Sequence, residues 1–157
     1  MDTKKTVLFI VIAIALGIVW YALSPLLRNI KMDEASPLEN VGVVDGQDDP
    51  LSGEGIRATA DFVPKAHAVE GQAQLINVGG DYTVRFENFK TINGPDVHIY
   101  LATDILAEDF IDLGSIKATE GNVNYAVPDG TDFQKYDTVL VWCKDFSVLF
   151  SYAELGT

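Results

Sequence analysis

From about residue 57 to the C-terminus the sequence breaks into short runs in which apolar and polar residues alternate, nearly every one bracketed by Gly, Pro, Asn or Asp. Period-two alternation places successive side chains on opposite faces of an extended chain, so such runs fold as strands with one buried face. The expected strands cover residues 58–62, 68, 73–78, 82–86, 97–102, 111–113, 123–127, 138–143 and 147–151. Strands of about five to six residues spaced about 8 to 12 apart are the signature of a sandwich or barrel. Gly79, Gly80 and Asp81 read as a hairpin connection, Asn93, Gly94 and Pro95 open a strand, and Pro128, Asp129 and Gly130 close one. One short helix is expected around residues 104–110, where Ile105, Leu106 and Phe110 share an apolar side. The expected fold is all-β, an antiparallel β-sandwich or barrel-like domain, preceded by one N-terminal transmembrane helix.

Residues 7–23 read VLFIVIAIALGIVWYAL without a charge, and the uncharged stretch continues through Leu27. About 20 apolar residues cross a bilayer as a helix, and Trp20 and Tyr21 stand near one end of the run, where amphipathic rings favour the headgroups. A cleaved secretory signal is the rival reading. The run is long for one, and no small-x-small cleavage site follows it. There is no cysteine near the segment to acylate. Lys4 and Lys5 on one flank match Arg28 and Lys31 on the other in number, so the basic flanks do not fix orientation.

Charge supplies the orientation instead. The chain carries 11 basic and 23 acidic residues over 157 positions, and four of the basic ones fall within the first 31. The remainder has a net charge of −15, with little basic surface to hold it at an inner membrane face. The N-terminus is therefore placed in the cytoplasm and the domain outside, as a single-pass cell-membrane protein. So acidic a surface excludes nucleic acid as a partner, because phosphate backbones are bound by clustered Lys and Arg. Residues 32–56 hold two prolines, four glycines and seven acidic residues with no basic one, a composition read as a flexible stalk. The chain divides accordingly into a membrane anchor (1–31), an acidic stalk (32–56) and a β domain (57–157).

Motifs for catalysis are absent from the sequence: there is no Gly-x-Ser-x-Gly, no phosphate-cradling glycine loop and no His-Glu-x-x-His. Whether the chain is an enzyme is left open at this level. Cys143, the single cysteine, admits two readings. It is in phase with Val139 and Val141, which suits a core residue behaving as a small hydrophobe. Alternatively it is a redox thiol, activated if Lys144 approaches the sulfur, although alternation turns Lys144 to the other face. A metal site from Cys143 with the only two histidines, His67 and His98, is a weaker alternative, since Cys143 is followed by neither the His nor the Met of a blue-copper loop. His98 shares a face with Asp96 and Tyr100, opposite Val97, Ile99 and Leu101.

The ordered set His67-x-x-x-Gly71, Asn93-Gly94-Pro95-Asp96-Val97 running into Tyr100-Leu101, Leu113-Gly114 with Lys117, Gly121, Asn124-Tyr125 and Pro128, then Tyr136, Val139, Trp142-Cys143-Lys144, Phe146, Val148, Phe150 and Ala153-x-Leu155 resembles the DM-thirteen domain from about Phe62 to Leu155. The resemblance implies a compact β-rich extracytoplasmic domain, found beside DOMON domains in animals and alone or membrane-anchored in microbes. It further implies electron transfer through a single characteristic cysteine, the position Cys143 occupies. His67 and His98 are candidate helpers on their own chemistry, outside the resemblance. The cofactor is unknown at this stage, as are the electron donor and acceptor. The expected function is a membrane-anchored redox domain with an envelope or redox protein as partner. A non-catalytic binding or accessory module with a structural core cysteine is the alternative.

Overall fold

The computed structural model describes residues 3–23, 29–40 and 55–156. Helix α1 spans Thr3–Leu23. Its side chains are described for residues 6–18, 20 and 21, and among the described residues no helix is long and apolar enough to cross a membrane. The spanning expectation is therefore carried by the sequence alone. Val7, Phe9, Ile14, Leu16 and Trp20 are all exposed.

Among the described residues, ten strands form two five-stranded sheets. The first runs in the order β1 (Lys31–Asp33), β8 (Glu120–Ala126), β5 (Asp81–Lys90), β4 (Glu70–Val78), β2 (Gly55–Asp61). The second runs β3 (Val63–Pro64), β10 (Val148–Glu154), β9 (Thr138–Cys143), β6 (Val97–Ala102), β7 (Phe110–Ser115). All pairings are antiparallel except β1 with β8. The arrangement is the expected sandwich. One contiguous core fills it, with Leu75, Val84, Phe86, Phe89, Val123 and Tyr125 from the first sheet and Val97, Ile99, Leu101, Val139 and Val141 from the second. Phe62 meets Phe86 edge-on at 4.8 Å, and Phe86 meets Tyr125 at 5.1 Å, the offset geometries that aromatic quadrupoles favour.

Local chemistry explains the connections. Val78 pairs with Asp81 across a two-residue turn, and Gly79 (φ 63°) and Gly80 (φ 98°) both take positive φ, as the hairpin turns that match strand twist require. The helix expected at 104–110 does not form. Asp104 Oδ1 accepts the Leu106 N–H at 2.8 Å, the self-bonding by which Asp competes with helical backbone. Ala107 turns to φ 55°, and Phe110 already belongs to β7.

The segment read as a stalk also differs in its first part. Residues 31–33 pair in parallel with Glu120, Gly121 and Asn122, and a 3₁₀ turn follows at Pro37–Asn40. Side-chain bonds hold this strap: Glu34 Oε2 accepts the Asn124 N–H at 2.6 Å, Asn122 Nδ2 donates to Asp33 Oδ1 at 2.6 Å, and Thr119 Oγ1 donates to Asn29 Oδ1 at 2.7 Å. Arg85, 4% exposed, donates to the Glu34 carbonyl (2.9 Å), the Ala35 carbonyl (3.2 Å) and Asn124 Oδ1 (2.8 Å) and pairs with Glu87. A buried guanidinium is tolerated when its donors are satisfied in this way. At Gly121 a Cβ would overlap the Met32 carbonyl. Composition alone does not show that the acidic residues of the strap find partners here, Glu34 in Lys117 and the Asn124 N–H, and Asp33 in Asn122. Residues 41–54 of the expected stalk lie outside the described residues, and Gly55 and Ile56 belong to β2.

Candidate functional site

Strands β6 and β9 are neighbours in the second sheet, with Val97 opposite Cys143, His98 opposite Trp142 and Tyr100 opposite Leu140. This register sorts the sequence-derived candidates between two faces. Cys143 points inward, as its phase with the valines implies, and is 1% exposed within the apolar core. Buried structural cysteines are inert toward exchange, because a disulfide partner must reach the sulfur. His98 projects from the opposite face, so Cys143 and His98 do not meet. His67 lies in the connection between β3 and β4, half-buried, its ring edge-on to Phe150 at 4.2 Å. Among the described residues no group of three His, Cys, Asp or Glu side chains is arranged to hold a metal. The weaker set of His67, His98 and Cys143 is thus not gathered, and the physical reason is the alternation that separates Val97 and Cys143 from His98.

The outer face carries the polar chemistry. His98 Nδ1 lies 2.8 and 2.9 Å from the two Asp112 carboxylate oxygens. Its Nε2 lies 3.1 Å from Asp96 Oδ1 and 3.2 Å from Ser115 Oγ. The Gly114 N–H donates to Asp112 Oδ1 at 2.9 Å, and Lys144 Nζ stands 3.6 Å from Asp112 Oδ2. Burial works against the charge on Asp112. The hydrogen bonds from His98 and Gly114, with the charges of His98 and Lys144, outweigh it and hold the carboxyl below its usual range. Ser115, His98 and Asp112 fall in the order of a hydrolytic triad, but Asp96 occupies the nitrogen that would have to accept the serine proton.

Beside this cluster Tyr100 is 3% exposed. Phe110 stacks on it at 4.0 Å with planes 14° apart, and Trp142 lies 6.4 Å away with planes at 27°. Leu140, Ala102, Leu149, Tyr152 and Ile105 complete a small apolar cluster outside the main core. Burial, then the charges of Asp112 and Asp96, raise the Tyr100 phenol above its ordinary range, so the ring keeps its proton at neutral pH. Among the described residues the Tyr100 hydroxyl has no hydrogen-bond partner, and it is not sealed in; the only enclosed, unpartnered side-chain oxygen is Ser151 Oγ. Sequence reading placed His98 with Asp96 and Tyr100 on one face, but not the β6–β9 pairing that sets them beside Trp142. That Asp112, Ser115 and Phe110 complete the site follows from the β6–β7 register, Tyr100 with Asp112 and His98 with Ser115, which no local pattern announces.

A family model described as electron transfer DM13 matches residues 61–155. The chain belongs to that family. The match takes in both sheets from the end of β2 to the end of β10 and leaves out α1 and the strap. No curated protein and no solved structure matches the chain. Within the DM13 domain, the cysteine singled out by resemblance is a core residue, and the outer face presents the polar and aromatic groups.

Proposed function

We propose that this chain is a membrane-anchored, extracytoplasmic electron-transfer domain that exchanges single electrons with a protein partner rather than thiol groups. The observation that carries the reading is the DM13 match over residues 61–155, from the end of β2 to the end of β10. The anchor is supported by the sequence, in which the charge-free run 7–23 continues through Leu27 and so reaches the roughly 20 residues that a spanning helix needs. Placement outside the cytoplasm is supported by the net charge of −15 that follows Lys31. The test is voltammetry of the full chain in lipid, together with protease accessibility in intact cells. A reversible wave and an externally cleavable domain are expected. A chain silent at every potential where it stays folded would overturn the redox assignment, and a protected domain would overturn the topology.

One observation favours a second reading. Cys143 at 1% exposure fits a binding or accessory module whose cysteine fills the core. Under both readings the thiol reacts with an alkylating reagent only on unfolding. Under the first a wave persists when Cys143 is alkylated or replaced, and under the second there is no wave to lose.

A further inference from the structure

We infer that the β8 edge of the first sheet is a strand-acceptor site and that residues 29–35 occupy it as a separable peptide ligand, so that strap and sandwich stay together without the chain that joins them. The family match begins at residue 61, after the strap, and the main core takes no side chain from residues 29–35. Lys31, Met32 and Asp33 are all exposed. The strap is therefore held as a ligand on a sheet edge is held, by main-chain bonds that give affinity and side-chain contacts that give specificity. Without it β8 is an open edge.

Both kinds of contact are present. Thr119 and Glu120 donate their N–H groups to the Ile30 carbonyl at 2.8 and 3.1 Å, and the Glu34 N–H donates to the Asn122 carbonyl at 2.8 Å. Three strap side chains are read. The Asn29 amide donates to Glu120 at 3.1 Å and accepts from Thr119 at 2.7 Å, Asp33 accepts from Asn122, and Glu34 accepts the Asn124 N–H and, at 3.2 Å, Lys117 Nζ. Two features of the sandwich are shaped to the strap. Arg85 lies in β5, one strand in from β8 and 4% exposed, and sends one guanidinium nitrogen to the Glu34 and Ala35 carbonyls. An empty seat leaves that buried charge with two fewer acceptors. Gly121, at φ 118°, admits the Met32 carbonyl where a Cβ would stand. The ligand selected is an extended segment of the pattern Asn-x-x-x-Asp-Glu, which this chain supplies at 29–34. A cut between residues 41 and 54 then leaves the domain attached to the N-terminal segment, and a competing segment of that pattern releases it.

The experiment uses the full chain in detergent, tagged at its N-terminus, with a site-specific protease sequence inserted between Gln47 and Asp48. Capture on the tag after cutting reads whether the 48–157 fragment is retained, and a synthetic peptide of residues 29–40 is the competitor. The fragments are expected to stay together after cutting and to part when the peptide is added in excess. The same peptide with Asp33→Ala and Glu34→Ala should compete about tenfold or more weakly. In the sandwich, Arg85→Met and Gly121→Val should hasten release. Glu34→Ala in the strap leaves the sandwich sequence untouched and should loosen retention about tenfold, so the site is tested even where Arg85→Met or Gly121→Val does not fold. Separation at once on cutting, retention that neither the peptide nor Glu34→Ala weakens, or equal competition by the alanine peptide each overturns the site. Neither the electron-transfer nor the membrane reading is needed, since a redox-silent chain keeps or loses the fragment by the same bonds.

Discussion

Trp142 and Cys143 are consecutive in β9 and live in different solvents. The inner side of the second sheet, with Val97, Ile99, Leu101, Val139, Val141 and Cys143, is dry hydrocarbon. Its outer side sets His98, Tyr100 and Trp142 among carboxylates, a lysine and a second, smaller apolar cluster. A single peptide unit thus divides a position that contributes packing from one that can meet a partner. The lesson is that a conspicuous residue type is a poor guide to chemistry until its face is known.

The largest effect belongs to the inner side. Ile99, fully buried, when changed to Ala should cost about 2–5 kcal/mol in urea unfolding. A loss under about 1 kcal/mol would mean that the inner face is not close-packed and would blur the distinction. Cys143→Ser should follow at about 2–3 kcal/mol, since it encloses a hydroxyl among valines, with Cys143→Ala milder than Ser. In the native protein the thiol should react with a maleimide about 10³-fold or more slower than in the unfolded chain. Equal rates would move Cys143 to the accessible side of the comparison.

A buried phenol sharpens the contrast. Tyr125, on the inner side of the first sheet and 2% exposed, has its phenol pushed up to about 12 by burial, against the Lys117 N–H bond and with help from Glu34. Folding favours its neutral form, so the associated stability is complete below the unfolded value near 10 and is lost as pH rises toward 12. The loss amounts to about 2–3 kcal/mol, read from urea midpoints against pH. Tyr125→Phe should flatten that alkaline slope, and an unchanged slope would assign the effect to other groups. The smallest effect is expected outside. Asp112→Asn should cost under about 1 kcal/mol, because the carboxylate is partly solvated. Its folded pKa is depressed, so its contribution is present above the ordinary carboxylate range and disappears as pH falls through the folded value. A penalty as large as that of Ile99→Ala would make the polar cluster a structural keystone.

Much of the sandwich was legible because one face of each strand is buried and writes its period into the sequence. The valine phase of Cys143 suited the enclosure it has but stood beside the redox-thiol reading without deciding between the two, and the glycine pair at 79–80 predicted its hairpin. The expected helix at 104–110 was misread because Ile105, Leu106 and Phe110 satisfy a helical spacing while Asp104 bonds its own turn. The strap was illegible for a different reason. Its stability is long-range, held by Arg85, Thr119, Gly121 and Asn124, and no composition rule sees partners 51 to 90 positions away. The outer cluster joins β6, β7 and β9, and pairing order is not written in any one of them.

The strap also shortens the leash. Asn29 is already bonded to Thr119 and Glu120, so residues 24–28 alone separate it from the end of α1. With that helix in a bilayer, the extended chain between Leu23 and Asn29 reaches about 20 Å at most. Under the proposed anchoring, a domain so closely moored would search in two dimensions along the lipid surface, and what it met first would be whatever else floats there.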